Sequence, residues 1–353
     1  MHLDLLKIAG SQLIVLHHFS AYGPLAEAVY PLAPTVMDWM YEYARMAVQI
    51  FLVLGGYLAV QNLMPVAQQS RRALAKTLVN RYRRLALPFL AALLLSVLCA
   101  ALARYALHDD FIPHAPTLKQ ALAHALLLQG VTDTDALSAG VWYVAIDFQL
   151  FALLAVVLWV GHRVGQRRVA QALVLGLMLA SLWLFNLNAN FDNYAIYFFG
   201  SYGLGALAFW ASRSRRPGNW LLIGGVAGTL ALFISFRERI ALALLTAMLL
   251  IALQLRRPRL PGERLLPEAL TRHIHQWGQA SYALFLVHFP VLMLTNAAFE
   301  KWFKQNDWLT PNSHEAVGLL LVSWLTSMLL ANVFERWVEA PLNRWGYRRH
   351  RTQ

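Results

Sequence analysis

Two ionisable side chains, Lys7 and His18, lie at the two ends of the first apolar stretch of the chain. A helix turns about 100° per residue, so the step of eleven residues from Lys7 to His18 brings the imidazole back to nearly the same face as the amine. The two side chains would stand roughly 16 Å apart along the axis, half of a bilayer core. Titratable groups are costly in lipid and usually serve a function there. The pair therefore indicates an enzyme site built into a membrane.

A structural interpretation of each residue stays open beside the functional one. His17 and His18 can simply mark the outer end of the helix, where polar side chains cost little. Lys7 can extend its amine to the headgroups at the inner end. The shared face of Lys7 and His18 favours function over these alternatives.

A pair of glycines and a basic cluster are two further candidates, in the second and third apolar stretches. Gly55 and Gly56 stand inside the second apolar stretch, where small residues allow close approach of another helix or of a ligand. Arg81 and Arg84 precede Pro88 at the start of the third stretch. Such a basic cluster suits the phosphates of an anionic cofactor, and it suits ordinary anchoring at the cytoplasmic surface equally well.

Asp147 stands one to two turns inside the fourth apolar stretch, after Trp142. A carboxylate at that depth is costly unless it is paired, and the tryptophan suits an aromatic belt at the membrane interface. Because Asp147 and His18 both lie towards the outer face, we expect the carboxylate to orient the imidazole or stabilise its charge. A later apolar stretch contains three more candidates: Ser281, Tyr282 and His288.

The composition defines the class of protein. Of 353 residues, 58% are hydrophobic and 14% charged, with a mean hydropathy of +0.47, whereas soluble domains carry about 25% charged residues. Continuous apolar runs near twenty residues predict an all-α, polytopic transmembrane bundle rather than a barrel of alternating strands. We expect about ten spans: 5–22, 44–62, 85–107, 142–161, 169–187, 194–211, 218–236, 239–255, 278–299 and 316–336.

Positive charge concentrates in every second loop. The basic loops are 63–84, 162–168, 212–217 and 256–277, with the tail after Arg336. The positive-inside rule places them, and both termini, in the cytoplasm. The net charge of +12 is then a rim facing anionic membrane lipid, and no nucleic acid is expected. We predict one membrane domain, residues 1–345, followed by a basic cytoplasmic tail, residues 346–353.

Six stretches, in order and covering nearly the whole chain, resemble acyltransferase family 3, whose membrane proteins acylate glycans and some small molecules. The family's first span has a basic residue, ten residues and a histidine, which selects Lys7 and His18 over His17. The other stretches that carry the resemblance are 51–57, Arg81 with Arg84 and Pro88, 142–147, 281–290 and 335–341.

Three positions depart from the family pattern. Lys7 stands where arginine is usual, and lysine cannot make the planar bidentate contact of a guanidinium. Gly55 replaces the usual serine, and Asp147 replaces the usual glutamate, which shortens its reach by one methylene. A changed donor, a changed acceptor and a weakened enzyme all remain open.

The resemblance implies acyl transfer from cytoplasmic acyl-CoA, with acetyl-CoA as the expected donor, to a hydroxyl of a cell-envelope or exported glycan. His18 would act as general base on the hydroxyl or accept the acyl group itself. Lys7, Arg81 and Arg84 would bind the anionic cofactor. Asp147 would position His18, and no metal is expected. The implied location is the bacterial inner membrane.

Two other functions suit the same residues. Buried lysine, histidine and aspartate also serve transporters or flippases of glycans and lipid-linked sugars, although no inverted repeat is evident. A non-catalytic scaffold among envelope-biosynthesis partners is the second, supported by the three departures. Turnover of CoA distinguishes an acyltransferase from both.

Overall fold

The computed structural model describes residues 1–255, 267–304 and 313–348, so the basic residues at 256–266 and 349–353 lie outside the described part. All regular structure within these ranges is helical. In chain order the helices are α1 (His2–Ala21), α2 (Pro24–Val29), α3 (Pro34–Glu42), α4 (Val48–Leu63), α5 (Arg71–Ala103), α6 (Leu118–Ala125), α7 (Trp142–Trp183), α8 (Ala195–Ser212), α9 (Pro217–Ile234), α10 (Glu238–Leu255), α11 (Glu268–Phe299), α12 (Ser313–Phe334) and α13 (Ala340–Arg348).

Each of the ten predicted spans falls on one of these helices, and two of the spans share α7. Gly165 and Gln166 leave helical geometry, with φ of −160° and 69°, and Gly161 packs directly against Ala170. In an unbroken helix Gly161 and Ala170 would stand roughly 13 Å apart. The chain therefore reverses between them, and α7 is a hairpin of two helical arms.

Six helical stretches of the described part are long and apolar enough to cross a membrane. This confirms an all-helical membrane protein. The count of ten spans, the cytoplasmic position of both termini and the division into one domain and a tail stay predictions. The six stretches are Pro34–Leu63, Arg71–Ala103, Trp142–Leu187, Pro217–Ile234, Glu268–Trp302 and Ser313–Arg344.

Helix α8 runs through the centre of the bundle, and every residue from Tyr197 to Ala211 is buried. Its Gly205 lies against the carbonyl of Val53 in α4, and Gly56 of α4 lies against the carbonyl of Tyr202. A Cβ at either glycine would collide with backbone, so the missing side chains let the two helices meet directly. Gly56 is thus a helix-packing residue, the structural alternative raised by its sequence.

Helix α11 packs against α1, α5 and α12. The Tyr282 hydroxyl of α11 donates to the carbonyl of Leu85 in α5 over 3.0 Å. Trp324 Nε1 of α12 donates to Gln12 Oε1 of α1 over 2.7 Å. These bonds tie the helices that carry the candidate basic and histidine residues to their neighbours.

The long connection between α5 and α7 contains helix α6. Thr117 and Gln120 close its first turn as a capping box. Leu118 and Leu122 are exposed on one face, which suits a helix lying on the membrane surface. On the other face, buried His124 bridges Gln120 O and Leu137 N. Burial lowers the pKa of His124, which keeps it neutral, as this donor–acceptor bridge requires.

The contact between α4 and α8 leads to a stability prediction. Gly56→Ala drives a methyl group into the Tyr202 carbonyl and should cost about 1–3 kcal/mol, as overpacking does. Gly225→Ala in α9 is the matched control, because nothing lies within 4 Å of its Cβ position. Thermal unfolding in detergent should show a lower midpoint for Gly56→Ala only. Equal midpoints would mean that the close contact is absent.

Candidate active site

A pair of buried histidines joins α1 to α11. His18 Nδ1 lies 2.6 Å from His288 Nε2, and the two rings stack with centroids 4.9 Å apart and an interplanar angle of 14°. His288 is fully buried and His18 is 6% exposed. Both were candidates from sequence, and the structure brings them into direct contact across 270 residues of chain.

The bonding of the pair determines which nitrogen atoms carry protons. His288 Nδ1 lies 2.9 Å from the Leu284 carbonyl, and a carbonyl only accepts, so Nδ1 carries the N–H. In a neutral imidazole the lone pair is then on His288 Nε2, which accepts from Nδ1–H of His18. The remaining lone pair lies on His18 Nε2. This nitrogen has no hydrogen-bond partner among the described residues.

His18 lines a cavity of about 780 Å³. The walls come from α1, the start of α7 and loops predicted on the outer side. A second cavity of about 640 Å³ shares the wall residues Tyr22 and Ser138 with the first. The first cavity is large enough for a small ligand or part of a glycan. Polar and aromatic residues of its wall include His17, Tyr22, Gln49, Trp142, Tyr143 and Arg237.

Asp147 pairs with Arg81, which corrects the expectation that Asp147 positions His18. Arg81 Nη2 donates to Asp147 Oδ2 over 2.5 Å, and the guanidinium carbon lies 5.1 Å from the centre of the Phe151 ring. The side chains of Arg81 and Asp147 are 24% and 6% exposed. His288, not Asp147, orients His18. Burial explains the choice, because Arg81 needs the carboxylate as a counter-charge in the membrane interior.

Three tyrosines surround this ion pair: Tyr143, Tyr202 and Tyr282. Sequence reasoning named only Tyr282. Gly55 lies where its missing Cβ would meet the Tyr202 ring at 3.0 Å and Asp147 Oδ1 at 3.3 Å. No local signal in the sequence could have found Tyr202, because α8 is apolar throughout and reaches the pair only through tertiary packing.

Lys7 lies on the helix of His18, roughly 16 Å from it along the axis, and Arg84 lies one turn after Arg81 in α5. Lys7 Nζ is 3.8 Å from Asp4 Oδ1. Both Lys7 and Arg84 interact electrostatically with Glu339, beside α13, a residue that sequence reasoning noted only as part of a motif. Lys7 and Arg84 thus share one acidic neighbour, and Lys7 is paired more loosely than Arg81, whose guanidinium lies 2.5 Å from Asp147.

The remaining candidates have mixed surroundings. His17 lies between His18 and Tyr41, with ring centroids 5.2 and 5.9 Å away, and its buried Nδ1 has no hydrogen-bond partner. Trp142 is 40% exposed and stacks on Phe198 at 5.4 Å. The Ser281 hydroxyl donates to the Gly278 carbonyl of its own helix, which is a structural bond.

Within the described ranges, no three His, Cys, Asp or Glu side chains are grouped to hold a metal.

The helical bundle with a histidine pair facing a cavity defines the chain as a membrane protein with a buried polar site. A profile of the acyltransferase domain of family 3 (Acyl_transf_3) matches residues 2–332, nearly the whole chain. The chain belongs to this family and carries a membrane acyltransferase domain, as the sequence motifs predicted. No curated protein and no solved structure matches significantly.

The Arg81–Asp147 contact predicts a strong coupling in stability. Asp147→Asn leaves the guanidinium without a counter-charge and should cost about 3–5 kcal/mol, as breaking a buried pair does. Arg81→Gln leaves the carboxylate unpaired, with a similar cost. The double variant should lose much less than the sum of the two, measured as a double-mutant cycle of thermal unfolding in detergent. Strictly additive losses would contradict a direct ion pair.

Proposed function

We propose that this protein is a bacterial inner-membrane O-acyltransferase that uses acyl-CoA from the cytoplasm, with acetyl-CoA as the donor. The acceptor is a hydroxyl of a cell-envelope or exported glycan that enters from the outer side. The observation that carries the proposal is the free lone pair of His18 Nε2 at an outer cavity, with its tautomer set by His288.

His18 serves as the general base in this mechanism. The acceptor oxygen forms a bond to the acyl carbon and the carbon–sulfur bond of the thioester breaks. The hydroxyl proton moves to His18 Nε2 and then to the departing CoA thiolate, so protons and electrons balance. During the step the imidazolium is stabilised by its Nδ1–H bond to His288. A covalent route through an acyl group on His18 Nε2 uses the same lone pair.

The opposite end of the site suits the anionic part of the donor. Lys7 and Arg84 are the cations proposed to hold the CoA phosphates, because Lys7 meets Asp4 only at 3.8 Å, a looser contact than the 2.5 Å pair of Arg81 and Asp147. Lys7 lies on α1 with His18, roughly 16 Å away along the helix axis. One helix thus carries a donor-side cation and the base for the acceptor.

Removal of the imidazole tests the proposed base. His18→Ala should lower CoA release from acetyl-CoA by about 10²–10⁴-fold, the usual contribution of a general base. His162→Ala is the matched control, because His162 lies at the end of the first arm of α7, outside the linings of both cavities, and its Nδ1 bonds its own helix at the Leu158 carbonyl. The assay uses purified protein in detergent, with bacterial envelope glycan supplied as the acceptor and with matched elution profiles for all variants.

The outcomes separate the candidate functions. Release by wild type and His162→Ala, and none by His18→Ala, supports the proposal. An acetylated His18 peptide found by mass spectrometry after rapid quenching favours the covalent route. Equal release by all variants removes His18 from the mechanism. No release by wild type from acetyl-CoA or succinyl-CoA would favour the transporter or scaffold.

A further inference from the structure

Tyr202 presents a buried hydroxyl that has no partner. Its side chain is fully buried, and its Oη makes no hydrogen bond in the structure. Arg81 Nε, in the same cluster, is also buried without a partner. An unsatisfied buried polar group costs about 1–3 kcal/mol, and a phenylalanine at 202 would fill the space without that cost. Both groups belong to residues that adjoin Asp147, and a bound ligand would explain why each is left without a partner.

The packing of α4 against α8 places Tyr202 at the ion pair. Gly56 admits the backbone of Tyr202, and Gly55 leaves room for its ring. The same Gly55 position contacts Asp147 Oδ1, so the phenol ring and the carboxylate are neighbours. Asp147 in turn lies one helical turn from Tyr143, which lines the cavity of His18. The cluster therefore lies next to the proposed acyl acceptor cavity.

The charge of the cluster indicates what kind of atom binds there. The opposite charges of Arg81 and Asp147, 2.5 Å apart, neutralise each other. The cluster therefore offers two hydrogen-bond donors, the Tyr202 hydroxyl and the Arg81 Nε–H, but little net positive charge. A phosphate in the membrane interior would need an excess of cations. A neutral carbonyl oxygen needs only hydrogen-bond donors, and a phenol with a guanidinium N–H supplies two.

We propose that the Tyr202 hydroxyl and the Arg81 Nε–H donate hydrogen bonds to a carbonyl oxygen of the acyl-pantetheine arm of the donor. This rests on the proposed function. If the oxygen is that of the thioester, the two donors also stabilise the negative charge that develops on it during acyl transfer. If it belongs to an amide of the arm, they hold the donor without taking part in the chemistry.

The test removes one oxygen atom. Tyr202→Phe should keep or raise the unfolding midpoint, because it deletes an unsatisfied group, and should lower kcat/KM for acetyl-CoA about tenfold or more. Tyr57→Phe is the matched control, because this buried tyrosine packs its ring on Phe209 instead. A merely structural hydroxyl would lower stability and leave kinetics unchanged, so the two readouts separate the roles.

Donor analogues distinguish the two carbonyl sources. In the His18→Ala background, binding of acetyl-CoA is compared with S-ethyl-CoA, which lacks the thioester oxygen. A preference for acetyl-CoA that Tyr202→Phe abolishes assigns the hydroxyl to the thioester. Equal weakening of both ligands by Tyr202→Phe assigns it to an arm amide.

Two results would overturn the inference. In the first, the wild type turns over acetyl-CoA, and Tyr202→Phe equals Tyr57→Phe in kinetics and in ligand binding. This result contradicts the role of Tyr202 and leaves the proposed function intact. A wild type that neither binds nor cleaves acyl-CoA contradicts the proposed function, and the role of Tyr202 falls with it.

Discussion

The ion pair between Arg81 and Asp147 is the interaction on which the site depends. Neither charge is tolerable alone at this depth, so each needs the other, and their bond ties α5 to the first arm of α7. The α4–α8 contact then presents Tyr202 to the pair through two glycines. A charged contact and a close backbone contact thus hold four helices around one polar cluster in an apolar bundle.

Two of the three departures from the family pattern meet at this pair. Gly55 lies against Asp147 Oδ1 and the Tyr202 ring, so the loss of a serine side chain and the shortening of a glutamate affect the same small volume. The third departure, Lys7, lies with Asp4 and Glu339 instead. The changes at 55 and 147 are therefore best understood together, as one altered environment for Arg81 and Tyr202.

The sequence predicted the helices better than the contacts between them. Continuous apolar runs placed a helix at every expected span, and the basic loop predicted at 162–168 marked the hairpin at Gly165. The motifs also supplied both members of the histidine pair. Sequence reasoning expected Asp147 beside His18 and named His288 only as a separate candidate, because the ion pair that holds Asp147 at Arg81 forms through tertiary packing. Tyr202 was out of reach, because its environment consists of residues from other helices.

The distribution of charged and neutral residues in the site suits the two parts of the proposed donor, its charged phosphates and its neutral arm. Lys7 lies near Glu339, the Arg81–Asp147 pair is balanced, and the histidine pair can be neutral. From Lys7 to His18, along roughly 16 Å of α1, the site thus passes from a cation to a neutral pair of imidazoles. A polyanionic donor would be held at its phosphates, while only a neutral arm would find favourable contacts further in. Such a gradient would let an acyl group reach the outer cavity while the charged cofactor stays behind.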